Sequence, residues 1–437
     1  MVKETMTEAN LLAGAAEVDI TPPIGVPMEG YVAREGNSVG VHDPLLAQAL
    51  LLRAGQDAIL LFTLDFLGVG LDFTRRVREQ VARAIDVRET DILLACTHTH
   101  SGPAGFLPRV SGLGAEQDPG LQEITIRKLA GAARWAESRL RPALVGVATG
   151  QITEIGRNRN NPESGPLDPS VVVLRVDDGD GEPVAVLMNY GCHPTVLGYK
   201  NRLLSADYPG AARSLLRDVY PETVFMFANG ASGDVSTRFT RRDQTFREVL
   251  RMGRILGGEV LRLLQTIEPS TPTSLSSRVA DIELPIRDLP SADAAAQVLE
   301  ARQAELERMQ QTGASHGDLR RATTKVEGAR VQVRLVEALA DRDHVATQVQ
   351  VIRIGDLVYA GLPGEPFSRV VLDLKARSSA KATAVISYAN DDVGYFPDDQ
   401  SMAEGTYEAM ASPYGLEGVQ LVQSTALSLM RGGELNA

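Results

Sequence analysis

The chain has 437 residues, of which 43% are hydrophobic and 23% charged, enough for one large domain or two to three smaller ones. A formal net charge of −12 and a pI near 5.1 disfavour non-specific binding to nucleic acid or anionic membranes. This overall charge does not exclude a local basic patch around one site. No apolar run approaches the roughly 20 residues of a membrane-spanning helix, and residues 1–21 lack the apolar core of a secretory signal. We therefore expect a cytoplasmic protein without a transmembrane segment.

Short apolar runs alternate with longer segments of helical periodicity along the chain. Strands are predicted at 59–66, 91–97, 171–177, 183–190, 223–229, 349–361 and 383–389. Helices are predicted at 73–86, 120–139, 207–219, 243–266, 366–377 and 416–431. Near-continuous apolar strands between helices predict an α/β fold, with a mixed β-sheet covered by helices on both faces.

Residues 291–342 differ from the rest, because they are rich in Ala, Glu, Gln and Arg and contain no strand pattern. Ser291 can cap a first helix, the Thr312–Gly313 region can end it, and a second helix can follow Ser315. We predict a charged helical hairpin inserted into a single domain spanning residues 1–437. The hairpin is either a solvated face without a role of its own, or a lid or contact in a homo-oligomer.

Polar residues follow five of the predicted strands, where ligands collect in open α/β sheets. These segments are His98 to Pro103, Gly191 to Pro194, Asn229 to Ser236, Leu362 to Glu365 and Asn390 to Tyr395. Because they carry His, Asp, Glu, Ser, Tyr and Gly, the sequence predicts that they converge on one functional site.

Three of the six histidines lie at these strand ends: His98, His100 and His193. In extended backbone, side chains two residues apart share a face, so His98 and His100 are expected to point into one cavity. Neutral imidazole is a common zinc ligand, and a catalytic zinc site keeps about three protein ligands and one open position. A structural or substrate-binding role is the alternative.

Cys96 and Cys192 lie beside these histidines and are too few for a disulfide framework. We expect Cys96 to be buried and inert.

The segment 229–236 is dense in small residues, so its backbone can approach a ligand closely. Asp234 is a candidate orienting carboxylate and Ser236 a candidate hydroxyl near the reacting carbonyl; an ordinary Gly-Asp turn is the alternative. The segment is not a Gly-x-Ser-x-Gly elbow, and no Walker A or Gly-x-Gly-x-x-Gly motif supports nucleotide chemistry.

Four motifs together resemble the catalytic domain of the neutral/alkaline ceramidases. They are Thr-His-Thr-His-Ser-Gly-Pro at 97–103, His-Pro at 193–194, Gly-Asp-x-Ser at 233–236 and Leu-Pro-Gly-Glu at 362–365. Residues 17–23 also resemble the family's opening strand. The matches run in the family's order from about residue 15 to 430.

The resemblance implies a zinc-dependent site and a role for each matching residue. The residues that resemble zinc ligands are His98, His193, Glu365 and Tyr395. Ser236 resembles the nucleophile, and the groups around the scissile amide are His100, Arg159 and Tyr407. The tyrosine matches depend on a stretch whose length varies within the family.

Some features depart from the family pattern. Thr237 stands where the family usually has proline, and we expect neither a secretory signal nor the family's immunoglobulin-like C-terminal domain.

The predicted function is a zinc-dependent hydrolase that cleaves a linear amide, such as an N-acyl lipid of the ceramide type, into fatty acid and amine. The alternatives are a hydrolase of a soluble amide or ester and a non-catalytic metal-binding relative. If the substrate is a lipid, residues 105–108 with Val110 are the candidate exposed apolar rim.

Overall fold

The computed structural model describes residues 11–108, 114–272 and 274–432. The helices are α1 Leu71–Ala82, α2 Pro119–Ser138, α3 Asp207–Val219, α4 Phe246–Leu264, α5 Ala292–Gln311, α6 His316–Leu339, α7 Ser368–Arg377, α8 Asp399–Glu404, α9 Tyr407–Ala411 and α10 Leu416–Arg431. The longer strands are β1 Leu12–Asp19, β3 Leu46–Ala54, β4 Asp57–Leu64, β5 Ile92–Cys96, β6 Arg141–Gln151, β8 Ser170–Asp178, β9 Pro183–Tyr190, β11 Val224–Asn229, β13 Leu275–Pro285, β14 His344–Ile354, β15 Leu357–Gly361 and β17 Ala382–Ile386. The two-residue strands are β2 Gly40–Val41, β7 Arg157–Asn158, β10 Leu203–Leu204, β12 Val235–Ser236, β16 Glu365–Pro366 and β18 Tyr395–Phe396.

An eight-stranded mixed sheet in the order β11-β9-β8-β6-β1-β3-β4-β5 forms the largest layer. Its two halves are joined only at the start of β1 and β6, where Leu12 and Ala13 pair with Pro142 and Arg141. Both strands run away from this joint, and the two halves face each other, so that β11 lies against β3, β4 and β5. The carboxyl ends of β5, β9 and β11 consequently meet at one edge of the fold.

A four-stranded sheet in the order β13-β14-β15-β17 completes a central core. Its inward residues, such as Ile352 and Tyr359, share this core with Leu61 and Leu93 of one half-sheet and Leu187 of the other. The outward faces are covered by helices: α1 and α2 on one half-sheet, α3 and α4 on the other, and α6, α7 and α10 on the four-stranded sheet. The predicted α/β class with a mixed sheet is confirmed, and the apolar strands have helices on one side and further strands on the other.

The predicted element positions agree closely with the structure in most cases. Helices α3 and α10 have the predicted bounds, and β9 matches its prediction residue for residue. The prediction of one strand at 349–361 is wrong, because Gly355, with φ +56°, turns the chain between β14 and β15. These two strands pair with each other in an antiparallel hairpin, which a run of apolar residues does not reveal.

The segment 291–342 contains the two predicted helices. Ser291 caps α5 by accepting the N–H of Ala294, and Ser315 caps α6 in the same way. The chain leaves α5 at Thr312 and turns at Gly313, where φ is +70°. One face of α6 is not solvated, because its last turns pack into the core outside the four-stranded sheet.

Candidate metal centre and active site

Asn229 joins the ends of three strands beneath the candidate site. Its side-chain oxygen accepts the N–H of Cys192 at 3.1 Å, and its amide nitrogen donates to the carbonyls of Thr97 at 3.2 Å and Cys192 at 3.3 Å. Asn229 ends β11, whereas Thr97 and Cys192 follow β5 and β9. This buried amide therefore fixes the loops that carry His98 and His193 relative to each other.

His98 has a left-handed backbone with φ +66°, a conformation that residues other than glycine seldom adopt. The expectation of extended backbone at His98 is therefore wrong, although its ring centroid still lies 4.9 Å from that of His100. Its Nδ1 donates to the Leu67 carbonyl at 2.7 Å, and its ring stacks on Tyr388 at 3.8 Å. These contacts orient Nε2, which is buried without a hydrogen-bond partner, towards the interior of the site.

His193 is held in the same way from the other half-sheet. Its Nδ1 lies 2.6 Å from the carbonyl oxygen of Ser232 and 3.1 Å from that of Val235. Burial lowers the pKa of both His98 and His193 to about 3, so both rings are neutral. A neutral imidazole whose Nδ1 donates to a carbonyl presents a lone pair on Nε2, the form that binds a metal ion.

Glu365 completes the centre with a carboxylate oxygen. Its Oε2 lies 3.1 Å from Nε2 of His193 and 3.7 Å from Nε2 of His98, and all three side chains are at most 2% exposed. Three electron-pair acceptors this close repel one another unless a cation or a proton lies between them. Ligand atoms on a tetrahedral zinc ion lie about 3.3 Å apart, since each is about 2 Å from the metal. The donor set fits zinc, and without a metal the raised pKa that burial gives Glu365 favours a proton in its place.

His100 lies in the same cluster. Its ring centroid is 5.5 Å from that of His193, and ligand atoms of His98, His100 and His193 lie within 4.8 Å of one another. Both ring nitrogens of His100 are buried without a hydrogen-bond partner, and burial holds its pKa well below the usual range. A neutral His100 is thus available either to a metal ion or to a substrate.

Tyr395 and Arg159 border the Glu365 carboxylate. The short strands β16 and β18 place Glu365 directly opposite Tyr395, whose hydroxyl donates to the carboxylate. Arg159 donates from Nη2 to the Tyr395 hydroxyl at 3.2 Å and to the Gly233 carbonyl at 2.5 Å. The predicted residues from five separate chain segments are therefore brought together around one centre.

Glu408 holds Arg159 and was not predicted from the sequence. Its Oε1 lies 2.6 Å from the Arg159 Nε, and its Oε2 accepts from Asn160 at 3.1 Å. Burial lowers the pKa of the Arg159 guanidinium, but Glu408, Tyr395 and Glu365 together outweigh burial and hold this pKa well above its usual value. Tyr407, which precedes Glu408 on α9, has its ring 6.1 Å from that of Tyr395. The sequence signal for Glu408 is its position beside Tyr407, at the start of a short helix.

Ser236 lies beside His193, to which it is joined by an isolated β-bridge. The side chain is 4% exposed, and its Oγ accepts the N–H of Arg238 at 3.0 Å. Asp234 faces elsewhere: one oxygen accepts from Asn158 at 2.7 Å, and the other accepts from the backbone and the hydroxyl of Ser368 at 2.8 Å each. Of its predicted roles, these contacts favour that of ordering a turn over that of orienting Ser236.

The comparison with protein families matches residues 11–244 to the family model described as neutral/alkaline non-lysosomal ceramidase, N-terminal. The chain belongs to this ceramidase family. Among curated relatives, the neutral ceramidase of Pseudomonas aeruginosa is 28% identical over 248 residues, which cover 51% of this chain and 36% of the relative. Neutral ceramidase 2 of Arabidopsis thaliana is 26% identical over 245 residues, covering 52% of this chain and 31% of the relative. The matches thus span about a third of these relatives.

Solved ceramidase structures share the fold over nearly the whole chain. The crystal structure of neutral ceramidase from Pseudomonas aeruginosa superposes with a TM-score of 0.78 at 18% identity, covering 99% of this chain and 76% of that one. A structure described as ceramidase complexed with C2 gives a TM-score of 0.76, also at 18% identity, covering 98% and 76%. The ceramidase fold therefore extends beyond residue 244, through the strands that carry Glu365 and Tyr395.

Tyr388 is a further residue of the candidate site that sequence reasoning missed. Its hydroxyl lies 2.7 Å from the Ser232 hydroxyl and donates to Glu365 at 3.3 Å, while its ring supports His98. Its backbone has φ +56°. The sequence placed Tyr388 inside a predicted strand, and a left-handed residue at a strand end has no periodic signature.

Cys96, Cys192, His42 and His344 lie away from the candidate centre or have structural roles. Cys96 and Cys192 are fully buried, and burial raises the pKa of both thiols, in agreement with inert packing. His42 lies in a loop, where it contacts Asp43 and stacks on Phe246. The side chain of His344 is 46% exposed, and that of His316 lies outside the described part of the structure.

The segment 105–108 does not form an exposed apolar rim. Phe106 and Leu107 are each 1% exposed and pack inside the protein, so this prediction is wrong; Val110 lies outside the described residues. The aromatic ring of Phe106 contacts those of Phe66 and Phe73, which explains its burial. Any apolar surface near the site must come from other segments.

Proposed function

We propose that this protein is a zinc-dependent hydrolase that cleaves the linear amide bond of an N-acyl lipid of the ceramide type, releasing a fatty acid and an amine. One observation carries the proposal. The buried Nε2 atoms of His98 and His193 lie 3.7 Å and 3.1 Å from Oε2 of Glu365, close to the spacing of ligand atoms around a zinc ion. Membership of the ceramidase family supports the amide as the bond that is cleaved.

His98, His193 and Glu365 would hold the zinc ion, with Tyr395 beside them. When bound, zinc would polarise the substrate carbonyl and lower the pKa of a coordinated water to roughly 7. The backbone carbonyls that accept from both Nδ1 atoms keep the imidazoles in the binding tautomer. Tyr395 and Tyr388 hydrogen-bond the carboxylate and hold it in place.

The surrounding side chains would act on the carbonyl group of the substrate. Arg159 stays charged beside Glu408, and together with His100 and Tyr407 it would donate hydrogen bonds to the developing oxyanion, each worth about 3 kcal/mol. Ser236, whose backbone is bridged to that of His193, would supply a nucleophilic hydroxyl; a water molecule is the alternative nucleophile. Asp234 keeps the 233–236 turn against Ser368, so its catalytic role would be indirect.

The relatives support a lipid substrate, because those named above are all neutral ceramidases. A soluble amide or ester uses the same chemistry and remains the alternative substrate class. Across the described residues, no helix combines the length and hydropathy needed to span a bilayer. A cytoplasmic location and a homo-oligomer remain predictions.

A non-catalytic relative on the same scaffold would not need a complete set of reactive groups. Such a protein is expected to have lost either the carboxylate or the serine from the centre. Here Glu365 lies 3.1 Å from His193, and Ser236 is bridged to the same histidine. The retained set therefore favours an enzyme.

The decisive experiment combines metal content with hydrolysis. The purified protein should contain about one zinc per chain and, loaded with zinc, release fatty acid from an N-acyl sphingoid substrate. The His98→Ala variant should lose both, whereas His344→Ala, at an exposed histidine, should keep both. A folded protein without stoichiometric zinc would refute the metal centre. Activity on soluble amides but on no ceramide would move the substrate to the alternative class.

A further inference from the structure

Large exposed apolar side chains gather on one face of the molecule. Ile24, Val39, Phe239 and Tyr199 are 61%, 56%, 50% and 44% exposed. Their segments are joined by backbone hydrogen bonds, because Gly25 donates to the Ser38 carbonyl and Val39 donates to that of Arg202. Gly198, next to Tyr199, lies against Gln244 of the segment that follows Phe239.

This face adjoins the candidate site. The ring of Tyr31 lies 4.9 Å from that of His100, and its hydroxyl donates to the Leu197 carbonyl at 2.5 Å. Arg34 links the same two segments, since it donates to the carbonyl of His100 at 2.6 Å and to that of Asn201 at 3.1 Å. The segments that carry Ile24, Val39 and Tyr199 are thus one layer of contacts away from His100.

The other side of the face reaches Ser236. Arg238 donates its N–H to the Ser236 hydroxyl, and Phe239 comes next in the chain. The guanidinium of Arg241 donates to the Thr195 carbonyl, close to His193. The exposed apolar groups therefore border the site on two sides.

Two of these segments are basic, although the chain has a net charge of −12: residues 195–204 and 236–247 together contain six Lys and Arg residues and one acidic residue, Asp243, whereas residues 24–39 contain Arg34 with Glu29 and Glu35. Lys200 and Arg242 are exposed, and Arg34, Arg238 and Arg241 all lie close enough to affect the ionisation of Tyr31. Exposed apolar side chains flanked by Lys and Arg are the composition of surfaces that bind anionic lipid. The local charge is opposite to that of the rest of the protein, which complements an anionic surface and not a second copy of this acidic chain.

We propose that Ile24, Val39, Tyr199, Phe239, Lys200 and Arg242 form a docking rim that binds the surface of an anionic membrane, so that substrate enters the site from the lipid phase. The inference rests on the proposed function, because it specifies where an N-acyl lipid is taken up. Apolar side chains of the rim would enter the interfacial region, and the basic ones would lie at the lipid phosphates.

Co-sedimentation with vesicles tests the rim. Full-length protein should bind phosphatidylcholine vesicles containing phosphatidylglycerol more tightly than vesicles of phosphatidylcholine alone. The Lys200→Gln/Arg242→Gln variant should lose about 25-fold in partitioning onto anionic vesicles, since one basic side chain contributes about fivefold. The Ile24→Ser/Val39→Ser variant should lose about tenfold or more on the same vesicles.

Matched controls lie at the opposite end of the sheets. Arg134→Gln/Arg431→Gln removes two exposed charges, and Val219→Ser removes a valine that is 51% exposed; both variants should bind vesicles like the wild type. Equal losses in rim and control variants, or no binding of the wild type to anionic vesicles, would overturn the proposal. The proposal would also be overturned if the wild type is a dimer and the rim variants are monomers that bind vesicles as the wild type does.

Hydrolysis of a short-chain, dispersed N-acyl amino alcohol separates the rim from the centre. Rim variants should cleave this substrate at the wild-type rate while losing activity on vesicle-bound ceramide. If the wild type binds vesicles through the rim but hydrolyses no amide, the proposed function fails and the docking surface stands. If it hydrolyses vesicle-bound ceramide with rim variants unimpaired, the docking surface fails and the proposed function stands.

Discussion

Arg159 and Glu408 form a buried ion pair, with Nε 2.6 Å from Oε1 and side-chain exposures of 11% and 2%. The pair joins the loop after β7 to helix α9. A second bond joins the same two elements, since Asn160 donates to Glu408, 248 residues further along the chain. Arg159 also contacts Tyr395, beside the proposed zinc ligands. Glu408 therefore holds in place the Arg159 guanidinium, which in the proposed function would face the substrate carbonyl.

Replacing Glu408 with Gln should lower kcat about 10- to 100-fold, because the guanidinium keeps its charge but loses the carboxylate that orients it. Breaking one side of a buried ion pair should also lower the free energy of unfolding by about 3 kcal/mol. Steady-state kinetics and thermal denaturation measure both effects. The control is Glu404→Gln at an exposed residue of α8, and zinc content should stay at the wild-type level in both variants. An unchanged kcat in Glu408→Gln would contradict the positioning role.

Gly328 lets helix α6 of the hairpin pack closely against α9. A Cβ at this position would lie 2.7 Å from the Met410 Cε and 3.3 Å from the Tyr407 Cδ2. The Gly328→Val substitution should therefore displace Tyr407 and reduce kcat several-fold. Gly131→Val is the matched control, since Gly131 also lies within a helix but has open space around its Cβ position. Equal kinetics for the two variants would show that the hairpin does not position α9.

The sequence located the centre because strand ends in an α/β fold carry polar groups that converge. The sequence predicts His98, His193 and Glu365 as metal-binding residues, and the structure places the Glu365 carboxylate within 3.7 Å of the Nε2 atoms of both histidines. The reason given for His98 was wrong, since its backbone is left-handed, and no periodic pattern reports a positive φ. The partner of Arg159, Glu408, could not be predicted, because it does not follow a predicted strand and strand-end convergence indicates no individual side-chain pair.

Zinc should stabilise the folded protein strongly. Binding relieves the repulsion between the His193 and Glu365 acceptors, and a ligand present at about 1,000 times its Kd adds about 4 kcal/mol. Chelator-treated protein titrated with zinc should show a rising Tm. Glu365→Gln should show a much smaller rise, and His42→Ala, in a loop outside the centre, should match the wild type. A Tm that does not respond to zinc would argue against the assignment.

Ser236→Ala separates the two candidate nucleophiles. Zinc content should be unchanged, because Ser236 is not among the converging ligands. If the serine attacks the carbonyl, kcat should fall by about 10⁴-fold or more. A decrease of less than about tenfold would assign the attack to water. Ser232→Ala is a useful comparison, since Ser232 is also buried but bonds to Tyr388.

Asp391 should make stability depend on pH. Burial raises the pKa of its carboxyl from 3.8 to about 7, so between these values the folded state holds a proton that the unfolded chain releases. Its contribution to stability is complete below about pH 4 and is lost as the pH rises towards 7, with an upper limit of about 4 kcal/mol. Asp391→Asn keeps an acceptor for the Leu71 N–H and removes the titration. Urea denaturation across this range should therefore show the variant gaining stability relative to the wild type as pH increases, and parallel curves for the two proteins would contradict a raised pKa at Asp391.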